Sequence, residues 1–165
     1  SKAMGEILCG SYNSADFRTI IYRISAPYGY VSNQSVIPKF IKLAKENRNI
    51  ELWGSGSRSQ VFTFVEDIGY ACTLPLDIKY VKGVFNINGN ESITMFQLAK
   101  LVINVIPKTK SKIVFSNLKD PQEGLKRDIP INKAEREMDF KPQFNILKGV
   151  EKIINSQEEP FWRYK

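Results

Sequence analysis

The side chains that most often carry out chemistry are sparse in this sequence. Its 165 residues include no histidine and only two cysteines, Cys9 and Cys72. The sequence therefore offers no histidine-based triad, and no cysteine cluster replaces histidine at a zinc site. Both cysteines lie in helical patterns, which predicts two small buried thiols in a reducing compartment, with a disulfide as the alternative.

The net charge allows two interpretations. It is +7 at pH 7, which either keeps the surface solvated or attracts an anionic ligand such as a nucleotide diphosphate. Nucleic acid is not favoured, because no run of adjacent Lys and Arg alternates with aromatic residues. Lys126 and Arg127, in the polar loop 120–130, could contact phosphate, although a solvated loop is the plainer interpretation.

The most informative stretch is residues 50–68, IELWGSGSRSQVFTFVEDI. Alternating and β-branched residues on both sides of Gly54 and Gly56 predict a hairpin-like pair of strands around a tight turn. Glu66 and Asp67 follow at a position where a helix N-terminus favours negative charge. From periodicity alone, the default interpretation is an ordinary hairpin that leads into a helix.

The elements that must position these residues follow from the apolar spacing. Residues 19–24, TIIYRI, are nearly all apolar, which predicts a strand buried on both faces of a parallel sheet. A helix at 1–14 precedes this strand, and the two form half of a doubly wound α/β unit. Further strands are predicted at 83–88 and 112–115.

Local signals define the other helices. Ser35 can cap a helix over 35–47, and Thr94 with Gln97 forms a capping box. We expect Pro75 to interrupt the helix that includes 68–74. Two further helices are predicted at 132–138 and 145–155, the last one capped by Asn145.

Several segments together resemble a known family. The run GSGSRSQVFTFVEDI resembles the F-x-x-V-x-D hallmark of NAD-dependent epimerases and dehydratases, which are extended short-chain dehydrogenase/reductase enzymes. RISAPYGY, VIPKFI, GVFNIN and EREMDFKP resemble further segments of that family, in the same order. Within EREMDFKP, Asp139 stands where relatives carry glycine, so the resemblance implies left-handed geometry at that position. These enzymes act mostly on nucleotide sugars.

The resemblance implies an α/β fold that is the C-terminal part of a Rossmann-like enzyme. It would contain two strands of the parallel sheet plus a small mixed α/β substrate-binding subdomain. Residues 1–34 would be the tail end of the dinucleotide-binding domain. Residues 35–165 would be mainly the substrate-binding domain, with 83–88 returning to the cofactor-side sheet. The Gly-rich loop that cradles a pyrophosphate is absent from the sequence, so the NAD-binding half is expected to precede Ser1.

The resemblance also assigns residues near the cofactor. Lys2 would be the lysine of the Y-x-x-x-K motif, which holds the nicotinamide ribose and lowers the pKa of the catalytic tyrosine. Ser25 and Pro27 would lie near the cofactor. Ala26 departs from the family pattern, because the family carries an asparagine there that contacts the substrate.

Four residues are assigned to the substrate. Val36 lies in the helix that would border the nucleotide, and Trp53 would offer an aromatic face to the base, with core packing as the alternative. Arg58 and Gln60 would line the phosphate region. Gln60 stands where many relatives carry an arginine, and Arg58 would supply that charge instead. Lys2, Ser25 and Trp53 are expected around one shared hollow.

The expected function is therefore part of an NAD-dependent nucleotide-sugar epimerase or dehydratase, which removes and returns a hydride at a sugar hydroxyl carbon. The chain alone would be inactive. The alternatives are a non-catalytic binding or assembly module and an NAD(P)-dependent reductase of a non-sugar carbonyl. We expect a cytoplasmic protein that forms a homodimer, binds NAD and a nucleotide-diphosphate sugar, and uses no metal, nucleic acid or membrane.

Overall fold

The structure is a computed structural model that describes residues 1–30 and 35–156. Its helices are α1 (Lys2–Ser11), α2 (Val36–Lys45), α3 (Val65–Asp77), α4 (Met95–Val105), α5 (Asn132–Met138) and α6 (Ile146–Ser156). Its strands are β1 (Ile20–Ile24), β2 (Pro27–Tyr28), β3 (Ile50–Leu52), β4 (Ser59–Val61), β5 (Thr63–Phe64), β6 (Gly83–Ile87), β7 (Ser92–Thr94) and β8 (Ile113–Phe115). The α/β fold class is confirmed.

The strands associate in pairs rather than in one wide sheet. Strands β1 and β6 are parallel, with Ile20 opposite Gly83 and Ile24 opposite Ile87. The pairs β2–β5 and β3–β8 are also parallel, while β4 and β7 are antiparallel. The parallel pair places Gly83–Ile87 beside the first strand of the chain.

The predicted hairpin around Gly54 and Gly56 is wrong. Both glycines adopt positive φ angles of 56° and 69°, so the tight turn is present. However, β3 pairs with β8 and β4 pairs with β7, so the strands on the two sides of the turn do not pair with each other. Periodicity identifies a strand but not its partner, and here the partners come from distant segments.

Two apolar clusters hold the described residues together. The larger one joins α2, α4 and α6 with β3 and β5 through fully buried residues such as Ile41, Leu98 and Val150. The smaller one packs α3 and α5 against β6 around Phe85 and Phe140. Each helix therefore buries one apolar face, as amphipathic spacing requires. Helix α1 is the exception, since none of its residues is buried.

The burial predicted for β1 and for the two cysteines is wrong. Ile24 is 38% exposed, because β1 has one partner strand among the described residues and so lacks cover on its other side. Cys9 and Cys72 are both free and exposed. Their helices, α1 and α3, present those positions to solvent, which a pattern of apolar spacing could not distinguish from burial.

Helix α3 continues through Pro75 instead of ending before it. A proline cannot donate to the carbonyl four residues earlier, and here the Tyr22 hydroxyl donates to that Ala71 carbonyl at 2.7 Å. The Arg18 guanidinium donates to the carbonyl of Pro75 itself at 2.6 Å. Side chains from the preceding segment thus supply donors to two carbonyls of this helix, one of which would otherwise lose its partner to Pro75.

The predicted helix ends are mostly confirmed. The Thr94–Gln97 capping box is present at α4, and Asn145 Oδ1 accepts a bond from Lys148 N at 2.9 Å. Asp139 adopts the left-handed geometry with φ of 52°. Ser35 does occupy the N-cap position of α2, but its side chain makes no capping bond.

Asp67 joins the start of α3 to the chain before α6. It lies buried in the first turn of α3, and its Oδ1 and Oδ2 accept bonds from Gln143 N and Phe144 N at 2.8 and 3.3 Å. Burial raises the pKa of Asp67, while these two backbone donors oppose the shift. The acidic residue of the F-x-x-V-x-D motif is therefore a structural anchor in this chain.

Candidate functional site

Two hollows lie beside the residues that the sequence singled out. The first, which we call the tryptophan hollow, has a volume of about 430 Å³ and is lined by Val36, Lys39, Phe40, Glu51, Leu52, Trp53, Arg58, Met95, Asp120, Pro121 and Gln122. The second, the serine hollow, has a volume of about 320 Å³ and is lined by Arg23, Ile24, Ser25, Ala26, Gln60, Asn86, Asn88, Arg127 and Ile129. The two linings share no residue.

The turn after β3 shapes one side of the tryptophan hollow. Gly54 N donates to the carbonyl of Leu118 at 2.9 Å, which ties the turn to the loop after β8. The Glu123 carboxylate accepts bonds from the Ser55 backbone at 3.2 Å and from the Ser57 hydroxyl at 2.8 Å. These bonds hold the pKa of Glu123 below its ordinary value. The turn is therefore fixed by partners about 65 residues away in sequence.

Arg58 is held at the rim of the tryptophan hollow. Its Nε lies 3.3 Å from Asp120 Oδ2, and its Nη1 donates to Gln122 Oε1 at 3.1 Å. The acidic partner orients the guanidinium, and its remaining donors stay available for a ligand anion. Asp120 was not identified from the sequence, because its segment meets Arg58 only through the tertiary fold.

Trp53 is 52% exposed, so the alternative of core packing does not hold. Its indole lines the same hollow as Val36, which is half-buried at the start of α2, and as Arg58. The fold thus brings together three of the four residues assigned to the substrate. An exposed aromatic face beside a fixed guanidinium suits a ligand that has a flat ring and an anionic group.

The serine hollow lies beyond the carboxyl ends of the parallel strands β1 and β6. Asn88 is fully buried just after β6, and its Oδ1 accepts a bond from the backbone N of Ser25 at 2.9 Å. Open parallel sheets bind their ligands at this edge. Asn88 was missed as a site residue, although a polar residue directly after a buried strand was a usable signal.

The backbone N, the hydroxyl and the carbonyl of Ser25 all form hydrogen bonds within the protein. Its hydroxyl donates to the carbonyl of Val61 at 2.9 Å and accepts from Gln60 Nε2 at 3.0 Å. The Thr63 hydroxyl donates to the carbonyl of Ser25 at 2.7 Å. Gln60 therefore points toward the serine hollow, away from Arg58, and the two residues predicted to line one phosphate region line different hollows.

Ala26 adopts a positive φ of 32°, which is unfavourable for a residue with a Cβ. Asparagine tolerates that region better than alanine does, and the family pattern carries asparagine at this position. Pro27 follows as the exposed first residue of β2. The Ala26 position therefore combines a positive φ with a side chain that has no polar group.

Lys2 is exposed at the start of α1 and lines neither hollow. Its helix is joined to the serine hollow through Glu6, whose carboxylate accepts two bonds from Arg23. These bonds lower the pKa of Glu6 and raise that of Arg23. The expectation that Lys2, Ser25 and Trp53 surround one shared hollow is thus corrected, because Ser25 and Trp53 line separate hollows.

The described residues contain no group of three or more acidic residues or cysteines placed to hold a metal ion. Nor is any helix of residues 1–30 and 35–156 both long enough and apolar enough to cross a bilayer.

Comparison with known proteins identifies the family. The model of the NAD dependent epimerase/dehydratase family matches residues 1–87. The chain belongs to this family. The matched region is more than half of the chain and includes RISAPYGY, VIPKFI and GSGSRSQVFTFVEDI, so the family inferred from the sequence is confirmed.

Individual relatives support the same assignment. Human dTDP-D-glucose 4,6-dehydratase is 29% identical over 172 residues, which cover 100% of this chain and 49% of the relative. The UDP-N-acetylglucosamine 4-epimerase from Bacillus cereus superimposes with a TM-score of 0.85 at 20% identity, over 96% of this chain and 55% of that one. The dTDP-glucose 4,6-dehydratase from Bacillus anthracis, solved with NAD, gives 0.76 at 22%, over 98% and 52%. The chain thus spans about half the length of the curated relatives it matches.

Proposed function

We propose that this epimerase/dehydratase chain forms the substrate side of an NAD-dependent enzyme that acts on nucleotide-diphosphate sugars. The observation that carries the proposal is the tryptophan hollow, where the half-exposed Trp53 indole lies beside an Arg58 guanidinium fixed by Asp120. A nucleobase would stack on Trp53, and the diphosphate would meet Arg58. Relatives that act on dTDP-glucose or UDP-sugars support this ligand class.

The serine hollow would receive the sugar and the nicotinamide end of NAD. Its place beyond the carboxyl ends of β1 and β6 fits a cofactor of this kind, and the family name supports NAD. Ser25 and Pro27 would border the nicotinamide, with Ser25 fixed by Asn88. Lys2 would hold the nicotinamide ribose. The sequence has no Gly-rich loop for the pyrophosphate, so these residues fit one end of the cofactor only.

When bound, NAD supplies a reversible hydride acceptor for a sugar hydroxyl carbon. The residues of this chain contribute position and charge. Trp53 and Arg58 would hold the nucleotide while the sugar is oxidised and then reduced, which permits epimerisation or dehydration. Lys2 would favour the ionised form of a neighbouring phenol by its positive charge.

The family resemblance also divides the chain into two domains. We propose that residues 1–34 continue a dinucleotide-binding domain and that 35–165 form mainly the substrate-binding domain, with 83–88 returning to the cofactor side. The parallel pairing of β1 with β6 supports the return of that segment.

Helix α1 also supports a homodimer. It buries none of its own residues, and Met4, Ile7 and Leu8 are each more than half exposed. An apolar face of this size favours association, and a second copy of α1 would cover it. Sedimentation of the full-length gene product should give twice the monomer mass, and Ile7→Lys should reduce it to the monomer.

One observation favours a second candidate, a reductase of a non-sugar carbonyl. Ala26 has a methyl group where the family pattern carries a polar side chain. The Gln60 amide already donates a hydrogen bond to the Ser25 hydroxyl. A non-sugar substrate would need neither contact. Failure of the full-length gene product to bind nucleoside diphosphates in calorimetry, together with NAD(P)-dependent reduction of other carbonyls, would support the reductase.

The test of the main proposal is turnover. The full-length gene product with NAD should convert UDP-glucose or dTDP-glucose to an epimer or a 4-keto product, while the isolated 165-residue chain should not. Lys2→Met should lower kcat at least a hundredfold. Lys100→Met, an exposed lysine of α4, is the matched control and should retain full activity. Unchanged kcat in the Lys2 variant would contradict the assignment.

A further inference from the structure

The loop after β1 has a strained backbone at the edge of the serine hollow. Ala26 lines that hollow with a φ of 32°, a region that is unfavourable for a residue with a Cβ. Its methyl side chain forms no hydrogen bond that would hold it there. A conformation of this kind persists only where the surrounding structure fixes it, and such residues cluster at functional sites. The groups that fix Ala26 therefore bear on what the hollow does.

Asn88 fixes the backbone just before Ala26. The parallel pairing of β1 with β6 ends at the residues that precede Ser25 and Asn88. The side chain of Asn88 continues the contact between the two segments, because its Oδ1 accepts a bond from Ser25 N at 2.9 Å. Asn88 is fully buried, and its Nδ2 donates to the carbonyl of Ile129 at 3.4 Å. The amide is thus held in the orientation that presents its oxygen to Ser25.

Thr63 fixes the two carbonyls that follow. Its hydroxyl donates to the carbonyl of Ser25 at 2.7 Å, and its backbone N donates to the carbonyl of Ala26 at 3.3 Å. Thr63 is also fully buried, in the strand that pairs with β2. The Ser25 N–H, the Ser25 carbonyl and the Ala26 carbonyl are therefore held by two buried residues that lie outside the loop. We call Asn88 and Thr63 together the loop clamp.

The location of the loop clamp indicates more than a contribution to stability. Buried N–H and C=O groups need partners in any fold, so the clamp stabilises the folded state. However, Asn88 and Ala26 both line the serine hollow, and neither lines the tryptophan hollow. Release of the clamp would therefore change the wall of the serine hollow and leave the other hollow as it is.

We propose that Asn88 and Thr63 are positioning residues for the reaction. They hold the strained loop so that the wall of the serine hollow keeps the sugar carbon and the nicotinamide in the geometry for hydride transfer. This inference rests on the proposed function, because it takes the serine hollow as the site of both groups. Misplacement by about 1 Å slows such a step about a hundredfold. Nucleotide binding at the tryptophan hollow does not depend on the clamp, so kcat should fall while KM is retained.

The experiment is steady-state kinetics of the full-length gene product with NAD and with UDP-glucose or dTDP-glucose. Asn88→Ala and Thr63→Val should each lower kcat about ten- to a hundredfold and leave KM for the sugar nucleotide within about twofold of the wild type. Valine keeps the branched shape of Thr63 but has no hydroxyl. Thr63→Ser keeps the hydroxyl donor and should retain kcat within about twofold. A role in packing alone would not produce this contrast between the two Thr63 variants.

Asn49→Ala is the matched control. Asn49 Oδ1 accepts a bond from Lys112 N at 3.1 Å, so the variant also loses a bond from an asparagine side chain to a backbone N–H of another segment. Asn49 lines neither hollow, and its variant should have the kcat of the wild type. All rates are measured well below the melting temperature of each variant, as determined by circular dichroism, so that unfolding does not mimic a loss of kcat.

The outcomes separate this inference from the proposed function. An active wild type, with kcat of Asn88→Ala and Thr63→Val equal to that of Asn49→Ala, would overturn the loop clamp and leave the proposed function intact. An equal loss in Thr63→Ser and Thr63→Val would also overturn it, because the hydroxyl would not be the cause. If Asn88→Ala does not fold, the two Thr63 variants decide. A wild type that converts neither sugar nucleotide would contradict the proposed function and this inference together.

Discussion

The Glu6 carboxylate and the Arg23 guanidinium form a forked ion pair, with Oε1 2.8 Å from Nε and Oε2 2.5 Å from Nη2. The pair joins α1 to the end of β1, where Arg23 also lines the serine hollow. Lys2 lies one helical turn before Glu6 and on the same face of α1. The ion pair therefore fixes how the helix that carries Lys2 meets the hollow.

Glu6→Gln should affect activity more than stability. Solvent screens this ion pair, so its loss should leave the free energy of unfolding nearly unchanged. If α1 is no longer held, misplacement of Lys2 should lower kcat of the full-length gene product about tenfold with little change in KM for the sugar nucleotide. Steady-state kinetics and urea unfolding measure the two effects.

Glu46→Gln is the control for that variant, because Glu46 forms an ion pair with Arg48 at 3.1 Å, well away from α1. It should leave kcat unchanged. A kcat for Glu6→Gln equal to that of this control would show that the ion pair does not position Lys2.

Ala26→Gly should stabilise the protein. Ala26 has a φ of 32°, and removal of its Cβ relieves about 1 kcal/mol of backbone strain. Ala3→Gly, at an exposed helical position of α1, should have the opposite effect and destabilise by a similar amount. Urea unfolding of both variants checks the contrast, and a loss of stability in Ala26→Gly would be inconsistent with the strained backbone.

Two helical glycines should respond to alanine with opposite signs. Gly69 of α3 has open space around it, so Gly69→Ala should stabilise the protein by about 1 kcal/mol. A Cβ on Gly149 of α6 would overlap the buried hydroxyl of Tyr28, so Gly149→Ala should destabilise it by about 1–3 kcal/mol. Thermal unfolding measures both.

Tyr28→Phe tests whether the Tyr28 hydroxyl causes the loss of stability in Gly149→Ala. It removes the hydroxyl that the new methyl group would meet, and that buried hydroxyl has no partner among the described residues. The double variant should therefore recover part of the stability lost in Gly149→Ala. Strictly additive effects of the two substitutions would mean that the hydroxyl is not the cause.

Stability should depend on pH through Glu66. Burial acts to raise the pKa of this carboxyl, but hydrogen bonds from Lys152, at 2.5 Å, and from Tyr30 hold the pKa below 4.5. A lowered pKa stabilises the folded state above the unfolded pKa, and that contribution is lost as the pH falls through the folded pKa. The carboxylate joins α3 to α6, so its protonation weakens that contact.

Glu66→Gln should therefore lower the free energy of unfolding by about 0.5–1 kcal/mol at pH 7 and by progressively less as the pH falls below 4.5. Urea unfolding across this pH range gives the difference. Glu151→Gln, an exposed position on α6, is the control and should match the wild type at pH 7. A deficit in Glu66→Gln that does not shrink as the pH falls would count against the ionised pair.

Local signals in the sequence were sufficient for most elements. The Thr94–Gln97 capping box, the strand Gly83–Ile87 and the helix Asn132–Met138 are all found where the sequence predicted them. Each depends on neighbouring residues, whose chemistry can be read directly. The hairpin failed because strand pairing depends on distant segments, and Pro75 was misjudged because Tyr22 and Arg18 compensate for it from elsewhere.

The same difference between local and tertiary signals applies to the site residues. The three residues Trp53, Arg58 and Val36, which the resemblance assigned to the substrate, line one hollow. Asp120 was missed because its segment meets Arg58 only through the tertiary fold. Asn88 belongs to the quoted segment GVFNIN, but its hydrogen bond to Ser25 joins it to a distant segment and gave it no role in the sequence. The separation of Arg58 from Gln60 follows from the turn of Gln60 toward Ser25, which no spacing rule could reveal.

The most direct measurement of the central claim is the affinity of the full-length gene product for UDP and dTDP before and after Trp53→Ala. We expect at least one nucleotide to bind with micromolar Kd and the substitution to weaken it about tenfold. Trp53→Phe, which keeps an aromatic face, should retain most of the affinity. Binding that is absent from the wild type, or equally strong in Trp53→Ala, would contradict a nucleotide site at the tryptophan hollow.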